Sequence, residues 1–313
     1  MKIKGITSGV FIVLSVIVLL LTGCRNSESN KTSPETSIES DIITTEDNAS
    51  EDVFISNRKE DADYSKYFQN YEGTAVFYSV EEQIYRIYNK ELAELPSSPC
   101  STFKIISGLM GLESGVIDTS NSIRQWNGTY YPMAAWNKDL DFKQAFQDTC
   151  IWYFREVIDL MGEEYVQGIL DELNYGNRDI SEWEGSLDNL IFPHMADLKE
   201  LNGFWHESSL KISPVHKVDV LRRIFEERDV FNYNNLNTMK DAMYIENNDS
   251  SIIIYGKTGS GITDDNWVNA WFAGMFEYNG DITYFTVRLN QPDARGADAR
   301  DVAVNIINGE FGN

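Results

Sequence analysis

Cysteine and histidine are scarce in this sequence, three of each among 313 residues: Cys24, Cys100 and Cys150, and His194, His206 and His216. So few cysteines exclude a disulfide-dense scaffold and a cysteine-rich zinc module. Histidines this far apart leave little room for imidazole-based metal chemistry, so no metal is expected. Basic residues are also in deficit, 26 Lys and Arg against 49 Asp and Glu, a formal net charge of -23. A field of that sign disfavours nucleic acid and anionic lipid surfaces as partners. The apolar run from Val10 to Leu21, with Ser15 inside it, is too short to span a bilayer comfortably as a permanent helix. No internal repeat, G-x-S-x-G elbow or H-E-x-x-H motif is found; His206-Glu207 starts the last of these but meets Leu210 where the second histidine belongs.

What is present divides the chain unequally. Lys2 and Lys4, the apolar run, and Leu21-Thr22-Gly23-Cys24 read as an export signal over residues 1–23, similar to a bacterial lipobox with Cys24 as the lipidated first mature residue. That places the mature chain outside the cytoplasm, anchored to the outer face of the cytoplasmic membrane, with contact to the membrane only through the lipid. Residues 24–63 read as Cys24 and a disordered acidic tether, with 4 basic and 11 acidic residues over 25–63. A hydrophobic content of 42% then requires a packed core, assigned to residues 64–313.

Within that part, Thr74–Tyr78 and Ile84–Tyr88 alternate as a β-hairpin, and residues 101–113 read as an apolar helix. Residues 143–174 read as two helices broken near Gly162, and Ser213 with Pro214 opens another that runs to Glu227. Ser251–Tyr255, Ala270–Tyr278 and Asp281–Leu289 read as strands, with Gly280 in the last turn, and Ala297–Asn308 as a closing helix. The expected fold class is α+β: an antiparallel sheet flanked by helices, its parts at about 64–100 and 245–313, interrupted by a helical insertion at about 101–244. A cleft between the two parts is the natural site.

Serine–lysine chemistry is the option these residues leave. Ser-x-x-Lys occurs at Ser56–Lys59, Ser101–Lys104 and Ser208–Lys211, so the motif alone is weak. Only the second copy opens an apolar helix, where an i,i+3 pair shares one face and burial lowers the lysine pKa enough to make it a base. A serine N-cap with a snorkelling lysine fits the same residues. Lys257-Thr258-Gly259-Ser260, after Ile252–Tyr255, reads as a strand ending in a cation, a hydroxyl and flexible backbone. A carboxylated substrate could dock there, with the Ser260 amide as an oxyanion donor; a glycine turn is the plain alternative.

Together, the two elements resemble the penicillin-recognising serine enzymes. Pro99–Lys104, Trp136–Leu140, Tyr175-Gly176-Asn177, Phe204–Ser213 and Trp271–Gly274 resemble class D (oxacillinase-type) serine β-lactamases over roughly residues 70–310. The resemblance implies that Ser101 is acylated by a β-lactam, and that Lys104 reacts with CO2 or bicarbonate to form a carbamate that acts as general base. Trp205 would steady that carbamate through its indole N–H. Lys257 and Thr258 would face the substrate, the amides of Ser101 and Ser260 would form the oxyanion hole, and Arg300, ahead of Arg295, would take the substrate carboxylate. Met133 and Trp136 would lie at the cleft rim, and Tyr175-Gly176-Asn177 would be mainly structural. Where the family has Ser-x-Val, this chain has Thr149-Cys150-Ile151, which keeps the relaying hydroxyl but crowds Lys104. Cys100 and Cys150 flank the two motifs that should converge, which permits a disulfide in an oxidising compartment; two small buried side chains are the plainer reading.

Hydrolysis of the β-lactam ring of penicillin-type antibiotics is therefore the leading expectation, with antibiotic resistance as its consequence. The alternative is a non-hydrolysing sensor or penicillin-binding domain, whose members share these motifs, including the aromatic run at Trp152-Tyr153-Phe154. It stands second because these 313 residues hold one short export segment and no H-E-x-x-H. A cell-wall transpeptidase is third.

Overall fold

A computed structural model describes residues 58–186, 198–263 and 266–312. The export segment, Cys24 and most of the expected tether lie outside the described residues. Chain order runs β1 (Arg58–Asp61), α1 (Ser65–Phe68), β2 (Gly73–Ser79), β3 (Ile84–Tyr88) and α2 (Lys90–Glu94). A 3₁₀ turn, Cys100–Phe103, then leads directly into α3 (Lys104–Glu113). The helical insertion continues with α4 (Phe142–Gln147), α5 (Ile151–Met161), α6 (Glu163–Glu172), α7 (Pro214–Arg222) and α8 (Tyr233–Met243). The chain closes with β4 (Tyr244–Ile245), β5 (Ile252–Thr263), β6 (Asn266–Tyr278), β7 (Asp281–Leu289) and α9 (Gly296–Ile306).

The seven strands form one sheet in the order β1-β3-β2-β7-β6-β5-β4. Every pairing is antiparallel except β1 with β3, which is parallel. Alternation along the central strands feeds two cores. Phe77, Phe276 and Phe285 face α1 and α9 with Tyr64, Phe68, Val302 and Ile306. Val76, Tyr78, Met275 and Tyr284 face the helical insertion. All seven residues of β2 are buried, because both faces of the sheet are covered.

Local chemistry sets the boundaries. Ser213 Oγ accepts from the His216 amide at 3.3 Å and Pro214 fills the first turn of α7. Asp141 and Asn232 cap α4 and α8 in the same way. Gly162, at φ +79°, separates α5 from α6. Asn279 and Gly280, both at positive φ, close the β6–β7 hairpin.

Three expectations change. The stretch 143–174, read as two helices, forms three, because the chain turns out of helix at Asp148-Thr149-Cys150, with Thr149 at φ +58°, between α4 and α5. The described residues start at Arg58, and β1 lies inside the stretch read as tether. Arg-Lys-Glu-Asp lacks any apolar pattern because β1 is an exposed edge, where backbone pairing suffices and charge discourages further strands. And Lys257-Thr258-Gly259 does not end a strand: β5 continues to Thr263, so the motif lies mid-strand.

Gly176 shows why Tyr175-Gly176-Asn177 has to be this triplet. Its φ is +54° and a Cβ would sit 2.0 Å from the Lys211 carbonyl oxygen. Asn177 binds the same segment, its amide donating to Lys211 O at 2.9 Å and its Nδ2 to Ser209 O at 2.8 Å. The triplet thereby braces the stretch that follows Trp205. Gly176→Ala is expected to cost at least about 2 kcal/mol, read by denaturant unfolding; an unchanged midpoint would refute this brace.

Candidate active site

The 3₁₀ turn puts Ser101 one turn ahead of Lys104, and both are buried, at 5% and 1% exposure. Lys104 Nζ donates to Ser101 Oγ at 3.1 Å. The turn is anchored through its backbone: the Cys100 amide donates to Trp205 O at 2.9 Å and the Thr102 amide to Pro99 O at 3.2 Å. Cys100 adopts φ +48° to enter the turn, a conformation uncommon outside glycine.

Opposite stands Thr149, also left-handed at φ +58°, which is unusual for a β-branched residue. Its Oγ1 accepts from Lys257 Nζ at 2.7 Å. The loop is held by Trp136, whose indole donates to Asp148 O at 2.9 Å, and Trp136 O accepts from the Trp152 indole at 3.0 Å. Trp136 is thus buried at 4% exposure and is a brace for the Thr149 loop, not a rim residue. Met133 is exposed, at the entry to the 3₁₀ turn Ala134–Trp136.

Strand β5 supplies the third wall. A Cβ on Gly259 would lie 3.1 Å from the Thr102 amide nitrogen and 3.2 Å from Pro99 O, so glycine lets the strand run this close to the Pro99–Thr102 turn without displacing it. Ser260 O accepts from His206 Nε2 at 3.2 Å, which fixes the proton on that nitrogen. The C=O and N–H of one strand residue point to the same side, so the Ser260 amide opens to this edge as well. A cavity of about 220 Å³ lies alongside, lined by Phe146, Met243, Lys257, Thr258 and Arg300 among others. Arg295 precedes Gly296, whose amide donates to Ser260 Oγ at 2.8 Å, and its own guanidinium lies over the Trp267 ring at 5.1 Å.

Burial dominates the electrostatics. It brings Lys104 down to about 8. It pushes Lys257 well below the ordinary lysine value, with Lys104 as a second, like-charged cause. Among the described residues, no hydrogen bond or ion pair joins either lysine to a carboxylate. The Lys104 ammonium instead lies 5.5 Å from the centre of the Phe154 ring. A ring face attracts a cation and repels an anion, so this wall suits an ammonium or a free amine better than a carbamate. Trp205 is stacked on Phe103 at 6.2 Å and capped by the Arg155 guanidinium at 5.7 Å. Cys100 and Cys150 are free buried thiols, both raised by burial, Cys150 to about 12.

Some site neighbours were not foreseen. His206 is buried and lowered by burial to about 4, with Nδ1 unpartnered among the described residues. Arg155 is clamped between Trp183 and Trp205 and ion-paired with Asp159. Lys217 reaches the Pro99–Thr102 turn from α7. A charged residue in an amphipathic helix reads as solvent-facing, so the sequence signals none of this for Arg155 or Lys217.

The arrangement is a hydroxyl with a buried amine one turn away, a second hydroxyl held by a second buried amine, and the Ser260 amide open to the same strand edge. It suits acyl transfer to Ser101. A family model for the penicillin binding protein transpeptidase domain matches residues 42–308. Regulatory protein BlaR1 of Staphylococcus aureus is 32% identical over 245 residues, 78% of this chain and 39% of BlaR1, so the chain spans about two fifths of that relative. The solved C-terminal domain of the Bacillus licheniformis BlaR penicillin-receptor superposes with TM-score 0.71 at 28% identity, covering 82% of this chain and 98% of that domain. The class D β-lactamase BAT-2 superposes with TM-score 0.68 at 28% identity, covering 80% and 95%.

Proposed function

The chain belongs to the penicillin-binding protein transpeptidase-domain family, a superfamily it shares with BlaR sensor domains and class D β-lactamases, and from that premise we propose that it is a β-lactam receptor domain, acylated on Ser101 and slow to release the acyl group. The observation that carries this reading is the setting of Lys104: hydrogen-bonded to Ser101 Oγ, wholly buried, and over the face of Phe154.

As a neutral amine, Lys104 takes the Ser101 proton while Oγ attacks the lactam carbonyl carbon. The resulting oxyanion is held by the Ser101 and Ser260 amides. Collapse breaks the C–N bond, and the ring nitrogen receives a proton through Thr149 from Lys257. The substrate carboxylate rests against Lys257, Thr258 and Arg300. The product is an ester on Ser101, and a second base is needed to hydrolyse it. A carbamate on Lys104 would be that base, but it would place an anion against the Phe154 ring. Thr149-Cys150-Ile151 also narrows the space for one. On this reading Cys24 anchors the domain on the outer face of the cytoplasmic membrane, where β-lactams arrive.

Hydrolysis is the second reading, favoured by the likeness to class D β-lactamases and by an amine lowered enough to react with CO2. Intact-mass spectrometry with benzylpenicillin and added bicarbonate separates the two. The expected result is a single covalent adduct that persists for hours; an adduct that decays within minutes, with accumulating opened antibiotic, would replace the receptor reading with the hydrolase.

A further inference from the structure

Lys217 is a third buried lysine, and the acyl-transfer chemistry leaves it without a task. It projects from α7 at 3% exposure. Its Nζ donates to Thr102 Oγ1 at 2.8 Å and to the Tyr175 hydroxyl at 3.0 Å, and lies over the rings of Tyr175 and Trp271 at 5.5 and 5.3 Å. Thr102 Oγ1 passes the contact on, donating to Pro99 O at 2.5 Å. No carboxylate pairs with Lys217 among the described residues. Burial lowers it to about 7. A cavity of about 10 Å³ adjoins it, lined by Thr102, Ile105, Tyr175 and Leu221 among others.

A cation or amine buried without a carboxylate is costly, and an apolar side chain of similar volume is often better for stability. Its hydrogen bonds go to the residue after the nucleophile and, through it, to the residue two before. Those are the two residues that a Cβ on Gly259 of β5 would meet. We propose that Lys217 is a positioning residue: it holds the Pro99–Thr102 turn from behind through Thr102 Oγ1, setting the Ser101 amide against that of Ser260. The proposal rests on the reading that Ser101 is acylated.

The test uses the full chain and benzylpenicillin, with rapid-mixing mass spectrometry to separate binding from acylation. Lys217→Met is expected to keep or raise the melting temperature, to leave the binding constant unchanged, and to slow acylation about tenfold, the size expected from a small misplacement of reacting groups. Thr102→Val breaks the same link from the other end and should give a similar loss. The double variant should be no slower than either single one, because the two changes cut one chain. Independently of any ligand, Lys217→Met should speed amide hydrogen exchange at residues 100–102. Acylation within twofold of the parent, fully additive losses, or unchanged exchange would each overturn the role of Lys217. A parent protein that is never acylated would overturn the reading of the site, and the exchange measurement would still decide the role of Lys217.

Discussion

Ser101→Ala is expected to abolish the covalent adduct with benzylpenicillin while leaving reversible binding in place. The oxygen that forms the ester is gone, and no nearby hydroxyl replaces it. Thr149 Oγ1 is held by Lys257 at 2.7 Å, and Thr102 Oγ1 is turned to Pro99 O and Lys217 behind the turn. Lys257, Thr258 and Arg300 remain to bind a carboxylate beside the cavity. The structural cost should be small, about 1 kcal/mol, since the change removes one buried hydrogen bond and no packing volume. Lost acylation with an intact melting transition is the signature. A stoichiometric adduct on the variant, mapped by peptide mass spectrometry to another residue, would remove Ser101 from the mechanism and with it the order of events drawn from Lys104.

The residues proposed to do the chemistry were the part of the site legible in this chain, and the residues packed around them were not. Ser101–Lys104 and Lys257–Ser260 stand out because a hydroxyl and an amine one turn apart on an apolar helix, or a cation before Thr-Gly on a strand, have few cheap structural explanations together. The hairpin of β2 and β3 was legible from period-two alternation, the first residues of β5 and most of β6 and β7 as strand-like runs, and the cap of α7 from Ser213-Pro214. Strand β1 was not, since four charged residues carry no burial signal and its pairing is through the backbone alone. Helix α8, with Tyr-Asn-Asn-Leu-Asn at its start, has weak propensity and is held by the packing of Leu236, Met239 and Met243. Trp136 reads as a rim aromatic in sequence, but its place is fixed by two hydrogen bonds to loop carbonyls and indoles that no spacing rule encodes. Lys217 is hidden for a related reason: its burial comes from the convergence of α7, β6 and the nucleophile turn, three parts of the chain far apart in sequence.

Lys104 is the group whose ionisation should govern acylation, and the sign follows from its role. Only the neutral amine can accept the Ser101 proton, so acylation rises with pH as Lys104 loses its proton. The midpoint lies near the lowered value of about 8, which burial imposes. Near pH 6 the rate should be about a hundredfold below its plateau, because the amine is then a minor form. Lys104→Met keeps the volume and apolar contacts of the stem, so the fold should hold and its stability should not fall. Acylation should drop by on the order of a thousandfold, as expected when a general base is removed, and the remaining rate should lose this pH dependence. Stopped-flow or quench-mass measurements across the pH range read both effects. The Phe154 ring links this result to the receptor reading. If the ring face disfavours an anion on Lys104, then Phe154→Leu, which keeps the pocket apolar but removes the quadrupole, should shorten the acyl lifetime in bicarbonate and leave the acylation rate nearly unchanged. An acyl lifetime indifferent to both bicarbonate and Phe154→Leu would mean that slow release has another cause than the missing carbamate.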